Sequence, residues 1–202
     1  MSHFEMSNIF RGLGDAVGLY NDVLHRLDLP GYQIDEVAYL FLDRHHLDIF
    51  TREAVREDGC LLFNTAEDHV HTLPLKTCYD VEYRFFTVPT QYLDGIDMVR
   101  VEAMQIKRGF SPLHEAETPM LVQVGAPMGA IHASFKCQTE DEYAAVVVRL
   151  RERGWEVAQK CDSTYGRFSY WSPLDAEDWL GDGARLYLKP RVNTRDMEAV
   201  GE

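Results

Sequence analysis

The chain has 202 residues, 46% of them hydrophobic and 11% aromatic, with a formal net charge of −13. That is enough apolar material for one large domain or for two small modules sharing a core. The charge excludes nucleic acid and anionic membrane surfaces as partners, because binding a phosphate backbone needs a cationic face. Here the basic residues are scattered singly or in pairs such as Lys107-Arg108.

The first predicted element is an amphipathic helix within residues 1–30. Met6, Ile9, Phe10, Leu13, Val17, Tyr20, Leu24 and Leu27 recur at three- and four-residue steps on one stripe, and Pro30-Gly31 ends it. Such a helix either covers a sheet or pairs with a second subunit, which leaves a homodimer open. Ile34 to Asp43 follows as a nearly continuous apolar strand, as for a strand buried on both faces. His45 to Arg56 reads as a short helix stopped by Gly59. Cys60 to Asn64 is a strand, and Ala66-Glu67-Asp68 reads as a turn.

From Val70 to Ile106 the pattern is β-rich, with Tyr79 to Val88 as one strand and Asp94-Gly95 as a turn. Ile96 to Ile106 alternates, placing Val99, Val101 and Ala103 on one face and Arg100, Glu102 and Met104 on the other. Gly109 to Pro119 reads as a loop, Met120 to Val124 as a short strand, and Gly125 to Gly129 as a module boundary. Ile131 to Cys137 is a strand with His132, Ser134 and Lys136 on one face. Thr139 to Glu142 is a capping box, whose hydroxyl and carboxylate satisfy orphan amides at a helix start. Tyr143, Val146, Val147 and Leu150 form that helix's inward stripe, and Gly154 stops it. Trp155 to Cys161, Arg167 to Trp171 and Ala184 to Val192 complete the set as strands.

Cys60, Cys78, Cys137 and Cys161 are widely spaced, with no CxxC pair, so neither a zinc knuckle nor a thioredoxin-like site is encoded. The start Met-Ser-His-Phe-Glu lacks the basic and apolar regions of a secretory signal. No apolar stretch reaches the ~20 residues that cross a bilayer. The expectation is a reduced, cytoplasmic chain.

Strand, helix, then strands occurs twice, which predicts an α+β fold. The run Ile131-His-Ala-Ser-Phe, the helix ending Leu150-Arg-Glu-Arg-Gly154, the run Trp155-Glu-Val and the run Gly183-Ala-Arg-Leu-Tyr-Leu-Lys-Pro190 resemble the second βαβββ module of the vicinal-oxygen-chelate (glyoxalase and extradiol dioxygenase-like) superfamily. The likeness is carried by residues 130–192, with residues 31–124 similar by layout and 193–202 left as a tail. It implies two modules whose curved sheets enclose a cleft, with a divalent metal held by His or Glu residues of the first and last strand of each module. Carried over by position, it places Glu36, Glu102 and His132 as ligands, with Tyr187 where the fourth, usually Glu, belongs. Two carboxylates and one imidazole suit Mn²⁺, Fe²⁺, Mg²⁺ or Zn²⁺. The ion then acts as a Lewis acid on a developing enolate or oxyanion, with Tyr187 as a proton donor beside it. Arg185 and Lys189 share the Tyr187 face, Lys136 shares the His132 face, and Arg100 shares the Glu102 face. These cations receive a carboxylate or phosphate of a small oxygenated substrate.

Each residue also has a plainer reading. His132 fits a hydrogen-bonded structural histidine, Glu102 a solvated strand face paired across to its neighbour, and Tyr187 ordinary strand packing. Glu36 is harder to dismiss, because an unpaired carboxylate in an apolar strand is costly to bury. Asp68-His69-Val-His71 has cupin-like spacing without the accompanying glycines and Glu, and reads as a turn-flanking polar pair. The function expected is therefore metal-dependent lyase, isomerase or dioxygenase chemistry on a small anionic metabolite. A metal-free binding protein of the same fold is the alternative, using Tyr165, Phe168, Tyr170, Trp171 and Trp179 to stack a flat ligand. A protein-interaction role through the N-terminal helix is the third.

Overall fold

The computed structural model describes residues 13–41, 43–56, 59–73, 78–89, 100–109, 128–163, 165–175 and 187–193. Its elements are α1 (Leu13–Arg26), β1 (Glu36–Phe41), α2 (Arg44–Arg56), β2 (Leu61–Leu73), β3 (Cys78–Thr87), β4 (Arg100–Gly109), β5 (Met128–Cys137), α3 (Glu140–Glu152), β6 (Trp155–Ser163), β7 (Gly166–Pro173) and β8 (Leu188–Asn193). The fold is α+β and glyoxalase-like: β1-α2-β2-β3-β4 and β5-α3-β6-β7-β8 are two βαβββ units. The strands close into one sheet in the order β1-β4-β3-β2-β6-β7-β8-β5. Within each unit the first and last strands are parallel neighbours. The units join through antiparallel β1–β5 and β2–β6 pairs.

Strand alternation sorts the side chains into two compartments. Val37, Tyr39, Phe41, Val101, Ala103, Ala133, Phe135 and Leu188 face outward into a core shared with α1, α2 and α3. Leu13, Val17, Val23 and Leu24 of α1, and Leu27 just after it, are buried in this same core. Ala38, Leu40, Val70, Val81, Tyr83, Met104, Phe168 and Tyr170 face inward and line the interior of the closed sheet. The polar residues Glu36, Asp68, Glu102, His132, Ser134, Lys189 and Arg191 are also buried. Among the described residues no helix is long and apolar enough to cross a membrane.

Local chemistry sets the helix boundaries. At α3 the Thr139 hydroxyl accepts from the Glu142 amide (3.1 Å), while the Glu142 carboxylate accepts from the Gln138 amide (2.7 Å). Gly154 follows at φ 78, the left-handed conformation that a terminating glycine adopts without strain. At α2 the Asp43 carboxylate accepts from the His46 amide at 2.9 Å and caps the helix. That amide, together with the His46 ring, holds the Asp43 carboxyl below the usual carboxylate range. The folded protein therefore keeps the carboxylate at pH values where the unfolded chain protonates it, so the cap contributes above the ordinary Asp range and is lost as acid titrates it. Asp43→Ala is expected to cost about 1 kcal/mol at neutral pH, measured by urea unfolding, with the difference shrinking in acid. An unchanged midpoint would show that the cap contributes nothing.

One expectation is corrected. Ala66-Glu67-Asp68 is not a turn: β2 runs unbroken from Leu61 to Leu73, pairing with β3 along most of that length. Ala66, Asp68 and Val70 alternate as its buried side, with Glu67, His69 and His71 exposed. A polar triplet in an edge-to-edge strand looks like a turn when its alternation carries a carboxylate on the inner face. Of the strand expected over Ala184 to Val192, Leu188 to Val192 lie in β8, and 184–186 lie outside the described residues. The loop and short strand expected between Gly109 and Val124 lie outside the described residues, apart from Gly109 at the end of β4.

Candidate metal centre

β1, β4 and β5 lie side by side, and each delivers one residue to a common point. Glu36 opens β1, Glu102 lies on β4 and His132 on β5, all at 3% exposure or less. One ligand atom from each falls within 4.8 Å of the other two. The expected trio is therefore brought together by strand register. The Glu102 Oε2 lies 3.6 Å from His132 Nε2.

His132 is fully buried, and among the described residues neither ring nitrogen finds a hydrogen-bond partner. Its ring meets Tyr170 in an edge-type contact, centroid to centroid at 5.0 Å. Burial, reinforced by the Lys189 and Arg191 charges and opposed by Glu36, holds its pKa well below the usual histidine range. The imidazole is thus neutral, with an unused lone pair. A buried, unbonded polar nitrogen is costly unless something satisfies it. The structural reading of His132, which required a hydrogen bond, finds none. Three buried donors, two of them charged, fit a divalent cation by type and by spacing.

The fourth position differs from expectation. β1 and β5 run antiparallel with Glu36 opposite Ser134 and Ala38 opposite His132, so a local two-fold exchanges Glu36 with His132. Ala38 neighbours Glu102 on β4, and Ser134 neighbours Lys189 on β8. The same two-fold therefore matches Glu102 with Lys189, not with Tyr187. Lys189 Nζ lies 3.3 Å from Glu102 Oε2 and 3.7 Å from Glu36 Oε1. Glu36 also faces Arg100, at 3.6 Å. Tyr187 is buried in the inner cluster and is not among the residues lining the cleft described next.

Glu36, Glu102 and Lys189 help to line a small cleft of about 60 Å³. Its walls carry Tyr83, Phe85, Tyr165 and Phe168, and its polar lining adds Asp68, Arg100, Arg167 and Arg191. Of the predicted anion-receiving residues, Arg100 and Lys189 reach the cleft. Lys136 is half-buried beside Arg191 in the β5–β8 register and does not line it. Arg185 lies outside the described residues. Among the predicted stacking residues Tyr165 and Phe168 line the cleft, Tyr170 packs behind it on His132, and Trp171 belongs to the outer core. Trp179 lies outside the described residues.

Several cleft residues escaped the sequence reading, Arg191 and Asp68 among them. Arg191 shares the inward face of β8 with Lys189 and binds the Asp35 carboxylate through both terminal nitrogens, each at 2.7 Å. The two-residue step from Lys189 was the available signal. Asp68 was hidden by the turn assigned to its segment.

No protein-family model matches the sequence, and neither does any curated protein sequence. Among solved structures, the chain is similar to a selenomethionyl methylmalonyl-CoA epimerase at 17% identity and TM-score 0.44, covering 78% of this chain and 93% of that one. It is also similar to a xylose isomerase-like TIM barrel/4-hydroxyphenylpyruvate dioxygenase fusion protein at 12% identity and TM-score 0.33. That match covers 84% of this chain and 27% of the fusion. The fold assignment rests on the strand order and pairings described above.

Proposed function

We propose that the protein is a metal-dependent enzyme acting on a small anionic molecule with adjacent oxygens, in the lyase, isomerase or dioxygenase range of chemistry. The observation that carries this is the convergence of Glu36, Glu102 and His132, with both carboxylates lining the cleft and both His132 nitrogens unbonded. These three residues would hold the ion. When bound, a divalent cation supplies Lewis-acid stabilisation of negative charge developing on a substrate oxygen. Around it the chain provides the rest. Arg100 and Lys189 orient an anionic group by charge. Phe85, Tyr165 and Phe168 exclude water from one side of the substrate. Asp68, a cleft carboxylate outside the donor set, is the group assigned to take and return a proton.

The test is exchange of carbon-bound hydrogen in D2O, followed by proton NMR, over a panel of 2-oxo acids, dicarbonyls and 2-substituted dicarboxylates, with oxygen uptake on catechols run in parallel. Turnover of at least one panel member is expected with added Mn²⁺ and not with chelator. Asp68→Asn is expected to slow it at unchanged metal content. Tight ligand binding by chelated protein, with no turnover under either condition, would overturn the proposal.

A second reading is favoured by one observation. Lys189 already places a positive charge between the two carboxylates, so the cleft is electrostatically satisfied without an ion. On that reading the protein binds a small anion or flat ligand without metal, and the chelated-protein result above is its signature.

A further inference from the structure

Lys189 occupies an unusual place for a cation. The local two-fold that exchanges Glu36 with His132 matches it with Glu102. Three of four equivalent positions thus carry electron-pair donors, and the fourth carries an ammonium. That ammonium does not point away. It lies 3.3 Å from Glu102 and 3.7 Å from Glu36, against oxygens of the same carboxylates an ion would take, and the residue is only 6% exposed. On its other side Nζ lies 4.8 Å from the centroid of the Phe168 ring, an aromatic face on the cleft wall.

Two cations cannot share this space cheaply. At such separations in a partly buried site, repulsion between an ammonium and a divalent ion is several times larger than in water. Phe168, by contrast, offers a seat on the cleft side, since the face of an aromatic ring attracts a cation.

We infer that Lys189 is the resident cation of this centre, that a divalent ion enters by displacing its ammonium from Glu36 and Glu102 toward Phe168 and the cleft, and that Lys189 therefore sets the affinity for metal. This inference rests on the metal-dependent reading above, but its failure is separable from the failure of that reading. The exchange makes no new covalent bond: one ion pair is replaced by coordination. It also gives Lys189 two positions with two tasks. Without metal it neutralises the carboxylates, and with metal its charge faces whatever anion enters the cleft.

The experiment is calorimetric titration of MnCl2 into wild type, Lys189→Met and Lys189→Gln, with the melting temperature of each recorded with and without Mn²⁺. Removing the competing charge is expected to tighten Mn²⁺ binding at least about tenfold in both variants. Both should melt lower than wild type without metal, because two buried carboxylates lose their counter-charge, and should gain more from Mn²⁺ than wild type does. Lys189→Gln keeps a hydrogen-bond donor beside Glu102 and serves if the Met variant does not fold. A purely structural lysine would lower the melting temperature without tightening the metal. Equal or weaker Mn²⁺ affinity in the variants, with wild type binding one ion, overturns the inference and leaves the metal-dependent reading standing. Binding in the variants with none in wild type supports the inference and turns the wild-type function to the metal-free alternative. No binding in any of the three removes both.

Discussion

Glu102→Ala is expected to weaken binding of Mn²⁺ at least about a hundredfold. Loss of a residue that merely supports a ligand costs roughly 10–100-fold in metal affinity, and loss of a charged ligand exceeds that. Glu102 is 2% exposed and is the only one of the three donors within 3.6 Å of both His132 and Lys189, so its removal breaks the centre at its middle. In the metal-free protein the effect should be milder, since Lys189 keeps Glu36. Calorimetry of wild type and variant checks the first, and urea unfolding the second. An unchanged Mn²⁺ affinity would place the ion elsewhere on the molecule.

Arg191→Met is expected to destabilise the protein by about 3 kcal/mol, the low end for breaking a buried ion pair. The guanidinium reaches from β8 to Asp35, immediately before β1, with two bonds of 2.7 Å, and donates a third of 2.7 Å to Ser134 on β5. It thus ties the last strand of one unit to the first strand of the other, close to the metal centre. Met fills much of the same volume but leaves the Asp35 carboxylate and the Ser134 hydroxyl without their partner. The Asp35 side chain is 36% exposed, and water recovers part of the loss, which is why the low end is expected. A midpoint shift in urea equivalent to less than about 0.5 kcal/mol, the level of an ordinary surface change, would show that this clamp is ornamental to stability.

The sequence carried the outline of the fold because its signals were local. The Thr139–Glu142 box, the Gly154 stop and the alternation in Ile131–Cys137 each depend on a few adjacent residues, and each recurs in the structure. The metal trio was legible for a related reason. A Glu in the apolar β1, and a Glu and a His on alternating strands, fix a face, and the closed sheet turns all three faces inward. What alternation cannot fix is phase along a strand. A shift of two residues leaves every side chain on the same face, so Tyr187, Lys189 and Arg191 were indistinguishable as occupants of the fourth position. Only the β5–β8 register, with Ser134 opposite Lys189, decides it. Asp68 was lost differently. Its neighbours Ala66 and Glu67 weigh toward a turn by composition, and only pairing with Val81 on β3 makes the segment a strand. Asp43, the cap of α2, lay at the end of a segment read as strand, where an apolar run masked the start of the next helix.

Binding of a divalent ion among Glu36, Glu102 and His132 is the central expectation. Anomalous diffraction from crystals soaked in MnCl2 tests this most directly. One peak is expected between the two carboxylates and the His132 ring, with Lys189 withdrawn toward Phe168, and no such peak in His132→Ala. Fully soaked wild-type crystals with no anomalous density at that point, and Lys189 still between Glu36 and Glu102, would contradict the account and leave a metal-free binding cleft.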